Sequence, residues 1–186
     1  MQLADCAAIV ERGMLWDGMN WMQVVCPSEL RSYVYEAMMR IVRIHCQITD
    51  TSRSILQRAL SDVVMLLANC YMDMVTQIGQ FGLGGMMQAL MEIEFVQQTL
   101  GAYETSTSKA LFSSAIALLR TQTRIPIVSR DPNAPSTSMA LAPTEVKDPQ
   151  LVVNELKEVR DTLKKIRKAS EAQFSSFTTQ RSVVRV

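Results

Sequence analysis

The run from Leu56 to Ile78 constrains this chain most. Leu56, Leu60, Val63, Leu67, Cys70, Met74 and Ile78 recur every three or four residues, the spacing that stacks side chains on one side of an α-helix. Its centre, Val63 to Met72, is apolar nearly all round, as expected of the middle element in a stack of helices. That run is broken by Asn69 and bounded by Asp62 and Asp73. It falls short of the roughly 20 apolar residues that span a bilayer, so it reads as a buried core helix and no transmembrane segment is expected.

The same periodicity predicts helices on both sides. Leu3, Ala7, Val10, Met14 and Trp16 share one side of a helix from Gln2 to about Asn20, weakened at Gly13. It starts without a clear cap, which reads as the continuation of a longer protein. Cys26-Pro27-Ser28 is a stop followed by a start, with Ser28 as N-cap and Glu29 in the first turn. A helix from there to about Ile48 carries Leu30, Val34, Ala37, Met38, Ile41, Ile44 and His45. After the long helix, Gly79 and Gly82 are suited to a left-handed helix end. Helix resumes at Gly85 and runs to Leu100, and Thr105 or Ser106 caps one more through Arg120. No segment shows sustained period-two alternation, and the one β-like patch, Ile125 to Val128, contains Pro126.

The division that follows is a helical bundle over 1–122, a Pro/Ser-rich flexible loop over 123–147, an amphipathic helix over 148–177 and a frayed tail over 178–186. Four of the six prolines fall between Pro126 and Pro143, in a stretch too poor in large apolar residues to pack. Asp148-Pro149 restarts helix with an acid cap and a proline at the first position. Leu156, Val159, Leu163 and Ile166 then keep a coiled-coil seam, which must be covered either by the bundle or by another chain. Asp161 and Lys165 are spaced for an i,i+4 pair. The predicted fold is all-α, an antiparallel bundle of about five helices plus a long C-terminal helix.

Signatures of catalysis are missing. The corner Gly82-Leu83-Gly84-Gly85 is glycine-rich like a phosphate loop, but no Lys-Ser/Thr follows it and no strand precedes it. Gly82, Gly84 and Gly85 read instead as a tight helix–helix corner. Glu92 and Glu94 are two apart on a helix, about 200° around it, so they cannot act jointly and are expected to face solvent or an interface. His45 is the only histidine, with no partner at relay spacing. Cys6, Cys26, Cys46 and Cys70 lie about twenty residues apart among apolar neighbours, a pattern of structural free thiols in a reducing compartment rather than zinc ligands. No catalytic, cofactor or metal site is expected.

Charge is divided along the chain. Residues 1–122 hold 8 Lys and Arg against 11 Asp and Glu, and residues 123–186 hold 11 against 7. The densest basic cluster is Lys157, Arg160, Lys164, Lys165, Arg167 and Lys168. Aromatics are not interleaved with it, which argues against nucleic acid and leaves a solvated face or peripheral contact with anionic lipid. The thirteen methionines fit either irregular core packing or an adaptable groove for a peptide helix.

The pattern Phe81-Gly82-x-Gly84-Gly85, then Gln88, Leu90, Glu92-Ile93-Glu94-Phe95, Leu100 and Tyr103, resembles the C-terminal region of exocyst complex subunits, the Sec-five family in particular. Cys26-Pro27-x-x-Leu30-Arg31-x-Tyr33-Val34 and Arg43-Ile44-His45 are similar to that family's adjoining helices. The resemblance covers about residues 22–120. It implies a rod-like stack of helical bundles and a non-enzymatic role in tethering secretory vesicles to the plasma membrane. It further implies helix packing with other exocyst subunits, and a cytoplasmic location, peripheral at plasma membrane or vesicles. The chain would be the C-terminal piece of a longer subunit, without the small-GTPase-binding domain of animal members. The alternative from the residues alone is a stand-alone helical module that binds an amphipathic helix or an anionic membrane surface.

Overall fold

The computed structural model describes residues 2–23, 25, 27–124, 157, 161–166 and 168–169. Helix α1 spans Gln2–Glu11 and passes into a π-helical turn at Arg12–Trp16; α2 is Ser32–Thr51, α3 Leu56–Ile78, α4 Leu83–Thr99 and α5 Ser106–Thr121. Residues 161–166 are also helical. Among the described residues there is no strand, only an isolated parallel bridge between Phe81 and Thr123. The all-α expectation holds.

Side-chain contacts fix the directions. Asp5 pairs with Arg40 and Arg12 with Glu36, so α1 and α2 are antiparallel. Tyr35 meets Phe95 and His45 meets Tyr103, so α2 and α4 run the same way. Gln57 reaches the Ala102 carbonyl, Tyr71 packs on Phe112, and Phe81 bridges Thr123, so α3 and α5 are parallel. Cys70 meets the Ala7 carbonyl, and Met14 and Leu15 line a cavity with Ile78, so α1 and α3 are parallel too and successive helices alternate up and down.

The long helix behaves as its pattern demands, burying Leu56, Leu60, Val63, Leu67 and Val75 while Asp62 and Asp73 stay exposed. With the 3-10 turn before it, Arg53–Ile78 is long and apolar enough to cross a membrane, but half of that window is buried inside the fold. Gly79 ends α3 in the left-handed conformation at φ 70°. The most enclosed helix is α4, buried without a break from Gly84 to Ile93. Methionines fill much of this core: Met14, Met38, Met74, Met86, Met87 and Met91 are all buried.

Three expected boundaries move. The first helix does not reach Asn20. It gives way to the π turn at Arg12, where the bare Gly13 lets the Tyr33 ring lie against the backbone, in space that a Cβ would occupy. Ser28 does not cap α2, which starts at Ser32 behind an extended Arg31 with no side-chain cap. Arg31 is held there by a distant carboxylate, described below. Helix α4 starts at Leu83 rather than Gly85, and Gly82 is extended (φ −77°, ψ 172°) rather than left-handed. Thr105 caps α5 as expected, in a reciprocal arrangement with Ser108. Beyond Arg124, the rest of the loop expected at 123–147, the tail at 178–186 and most of the helix at 148–177 lie outside the described residues.

Candidate interaction surface

The glycine corner is built around a strap, the irregular segment 17–31 between the π turn and α2. An α-helix begins with backbone N–H groups that lack internal acceptors. Here the strap's carbonyls accept them: Gly82 N–H donates to the Trp21 oxygen at 2.8 Å, and the Gly84 and Gly85 N–H groups donate to the Gln23 oxygen at 3.0 and 3.3 Å. A Cβ at Gly85 would collide with the Trp21 carbonyl, and one at Gly82 with the carbonyls of Met22 and Gln23. The N–H groups of a would-be anion loop are thus already engaged by protein. On the other side Phe81 donates to the Gln122 oxygen at 3.2 Å and accepts from Arg124 N–H at 2.8 Å. Its buried ring meets Trp21 edge-on at 5.5 Å.

Under the strap lies a polar cluster. Glu92 on α4 is fully buried, which corrects the expectation of a solvent-facing or interfacial carboxylate. Arg31 grips it with two bonds, Nε to Oε1 at 2.7 Å and Nη2 to Oε2 at 2.8 Å. Tyr33 Oη donates to Oε2 at 2.8 Å and Gln88 Nε2 to Oε1 at 2.7 Å. The third guanidinium nitrogen, Nη1, donates to the Gly13 carbonyl at 2.8 Å. The guanidinium also lies over the rings of Trp21 and Tyr33, 4.6 and 4.8 Å from their centroids, a favourable contact for a cation. Burial works against the Arg31 charge, but the hydrogen bond and charge of Glu92 outweigh it and its pKa is raised. Burial first, then Glu92, raise the Tyr33 pKa, so its hydroxyl stays a donor. A carboxylate without solvent survives only when its oxygens are occupied in this way.

The other singled-out residues are dispersed. His45 is buried against Tyr103, its pKa lowered by burial, while Cys46 beside it is exposed. Cys6 and Cys70 are buried thiols in no disulfide, each with its pKa pushed up to about 11, chiefly by burial. Cys46 departs from the expected apolar setting, and Cys26 lies outside the described residues. Among the described residues no cluster of His, Cys, Asp or Glu could hold a metal ion. In the last helix Leu163 is buried in the common core and Ile166 packs against it, so at these positions the chain covers its own seam. Lys157, Lys164, Lys165 and Lys168 are exposed. Asp161 pairs with Lys164 at 3.3 Å rather than with Lys165. Leu156, Val159, Arg160 and Arg167 lie outside the described residues.

Residue spacing gives no hint of the strap that covers the glycine corner or of the ion pair beneath it. The available signal was Glu92 itself, a carboxylate within the run from Phe81 to Phe95, where only Gln88, Glu92 and Glu94 are strongly polar.

Comparison with known proteins gives one consistent result. The family model for exocyst complex component Sec5 matches residues 6–177. The chain is 26% identical over 110 residues to exocyst complex component 2 of Homo sapiens, and equally to that of Mus musculus. The match covers 59% of this chain and 12% of each relative. No solved structure matches significantly.

Proposed function

The chain belongs to the Sec5 family of exocyst components, and on that premise we propose that it is a non-enzymatic helical section of such a subunit. It acts by packing against other exocyst subunits in the complex that tethers secretory vesicles to the plasma membrane. Its place of work is the cytoplasm, at vesicle and plasma-membrane surfaces. The observation that carries this reading is the family match, which runs through the strap, the glycine corner and the last helix. The structure fits a packing role: α4 is enclosed, the corner's donors are taken, and the polar cluster is locked. Affinity purification of the tagged subunit with mass spectrometry of its partners tests it. Recovery of the other exocyst subunits is expected, and their complete absence would overturn the reading.

Contact with anionic lipid is a second reading, favoured by Lys157, Lys164, Lys165 and Lys168, all exposed while Leu163 faces the core. Each basic residue near such a surface contributes about 1 kcal/mol, screened by salt. Cosedimentation with phosphatidylserine vesicles should fall as salt rises, and should fall further in a Lys164→Glu, Lys165→Glu, Lys168→Glu variant. Equal sedimentation with neutral vesicles would count against it.

A further inference from the structure

Three of the five large apolar side chains left exposed among the described residues fall within ten positions: Trp16 at 76%, Met22 at 45% and Val25 at 76%. All belong to the strap or the turn leading into it. Met22 also lines an open cavity of about 540 Å³, together with Met14, Leu15, Trp21 and the end of α3 at Ile78. A large ring such as Trp16, left in water at the end of the π turn, gives up the burial that normally stabilises it. Grouped exposed apolar residues of this kind mark contact sites.

The charge of this side says what it contacts. From Gly13 to Leu30 and from Ala59 to Ser108 the sequence has no Lys or Arg at all, whereas Asp17 and Asp73 are exposed there. Glu11, also exposed, stands one π-helical turn before Trp16. Glu11 and Asp73 both act on the Cys70 thiol, after burial, to raise its pKa, which places the two carboxylates at the same α1–α3 seam. The neighbouring cations are engaged elsewhere. Arg12 is bound to Glu36 on the α2 side, and Arg31 is held by Glu92 under the strap.

We propose that the strap face, with Trp16, Met22 and Val25 at its centre and Glu11, Asp17 and Asp73 at its rim, docks a cationic amphipathic helix of another protein. The helix sets its apolar residues on Trp16 and into the adjoining cavity, and its Lys or Arg residues on the carboxylates. An apolar centre with a charged rim is the usual anatomy of such a contact, and rim charges of one sign select the partner. The same rim repels an anionic membrane. This inference rests on the reading of the chain as a packing subunit, and names the surface and the chemistry of its occupant.

The test uses the full-length subunit in its assembled complex, with the photocrosslinker benzoylphenylalanine in place of Trp16 and, as control, in place of the exposed Lys109 on α5. The crosslinked peptide is then sequenced. The expected product is a segment of another protein with apolar residues every three or four positions and an excess of Lys and Arg. Combining Glu11→Lys, Asp17→Lys and Asp73→Lys should lower its yield about tenfold or more without changing helicity. A crosslink to an acidic or neutral segment, to a second copy of this chain or to lipid overturns the proposal, as does a yield no higher than at Lys109. Recovery of the other exocyst subunits from the same sample separates the two claims. If they are recovered with no crosslink, only the docking face fails; if they are absent, the functional reading fails with it.

Discussion

On the α3–α5 side, Tyr71 leans on Phe112 at 6.4 Å between ring centroids, and Phe112, Ala115 and Leu119 are buried along one side of α5. Its polar contacts are local ones, chief among them the Thr105–Ser108 cap at the helix start. On the strap side, a bidentate ion pair, a tyrosine hydroxyl, a glutamine and three backbone donors from the corner are all committed within the fold. The difference follows from backbone regularity. Regular helices satisfy their own peptide groups, so periodic apolar burial suffices to join them. The described residues of the strap have no regular ladder of that kind, and their path has to be specified by groups that only one arrangement satisfies. A buried ion pair is poor evidence of stability. Here its effect is to fix where 17–31 runs over the corner.

The largest expected effects probe that contrast directly. Removing one partner of a buried pair costs about 3–5 kcal/mol, because the other charge is left uncompensated. Glu92→Ala should therefore lower stability to urea by that amount. Phe112→Ala should cost a similar ~3–5 kcal/mol through the cavity it leaves. What separates them is the native state. Both tryptophans of this chain, Trp16 and Trp21, lie on the strap side, so the emission of the isolated chain reports on that side alone. Glu92→Ala removes the anchor of the guanidinium stacked on Trp21, and native emission should shift to the red. Phe112→Ala should leave it unchanged. Identical spectra for the two variants would mean that the pair does not set the strap's path.

The two sides also differed in how far the sequence disclosed them. Helices α3 and α5 could be read because their information is local: apolar residues every three or four positions, a glycine after Ile78, a threonine before Ser106. Arg31 and Glu92 are 61 positions apart, and no spacing rule joins such a pair. Ser28 was the natural cap by residue type, yet Arg31 occupies the cap position because its side chain is tied to α4 rather than to its own helix. Gly13 looked like a weakness in a helix and proves to be the place where Tyr33 comes closest. The glycines of the corner were legible as a tight approach, but what approaches them, the carbonyls of Trp21 and Gln23, comes from a segment with no periodic signal.

The smallest expected effect sharpens the comparison from outside the core. Arg12 and Glu36 form an ion pair at 2.8 Å, as short as one of the Arg31–Glu92 bonds, yet their side chains are 61% and 53% exposed. Distance alone would rank the pairs as equals. Solvent decides otherwise: exposed pairs contribute about 0–1 kcal/mol and are screened by salt, whereas a pair largely out of water is screened much less. Glu36→Gln should thus change the urea midpoint barely, and the difference should vanish in about 1 M salt, where the screening length is about 3 Å. Glu92→Gln, measured alongside, should keep its full loss at the same salt. A salt-independent penalty at Glu36 would show that α1 is held on α2 by the same kind of bond that holds the strap on α4, and the distinction between the two regions would fail there.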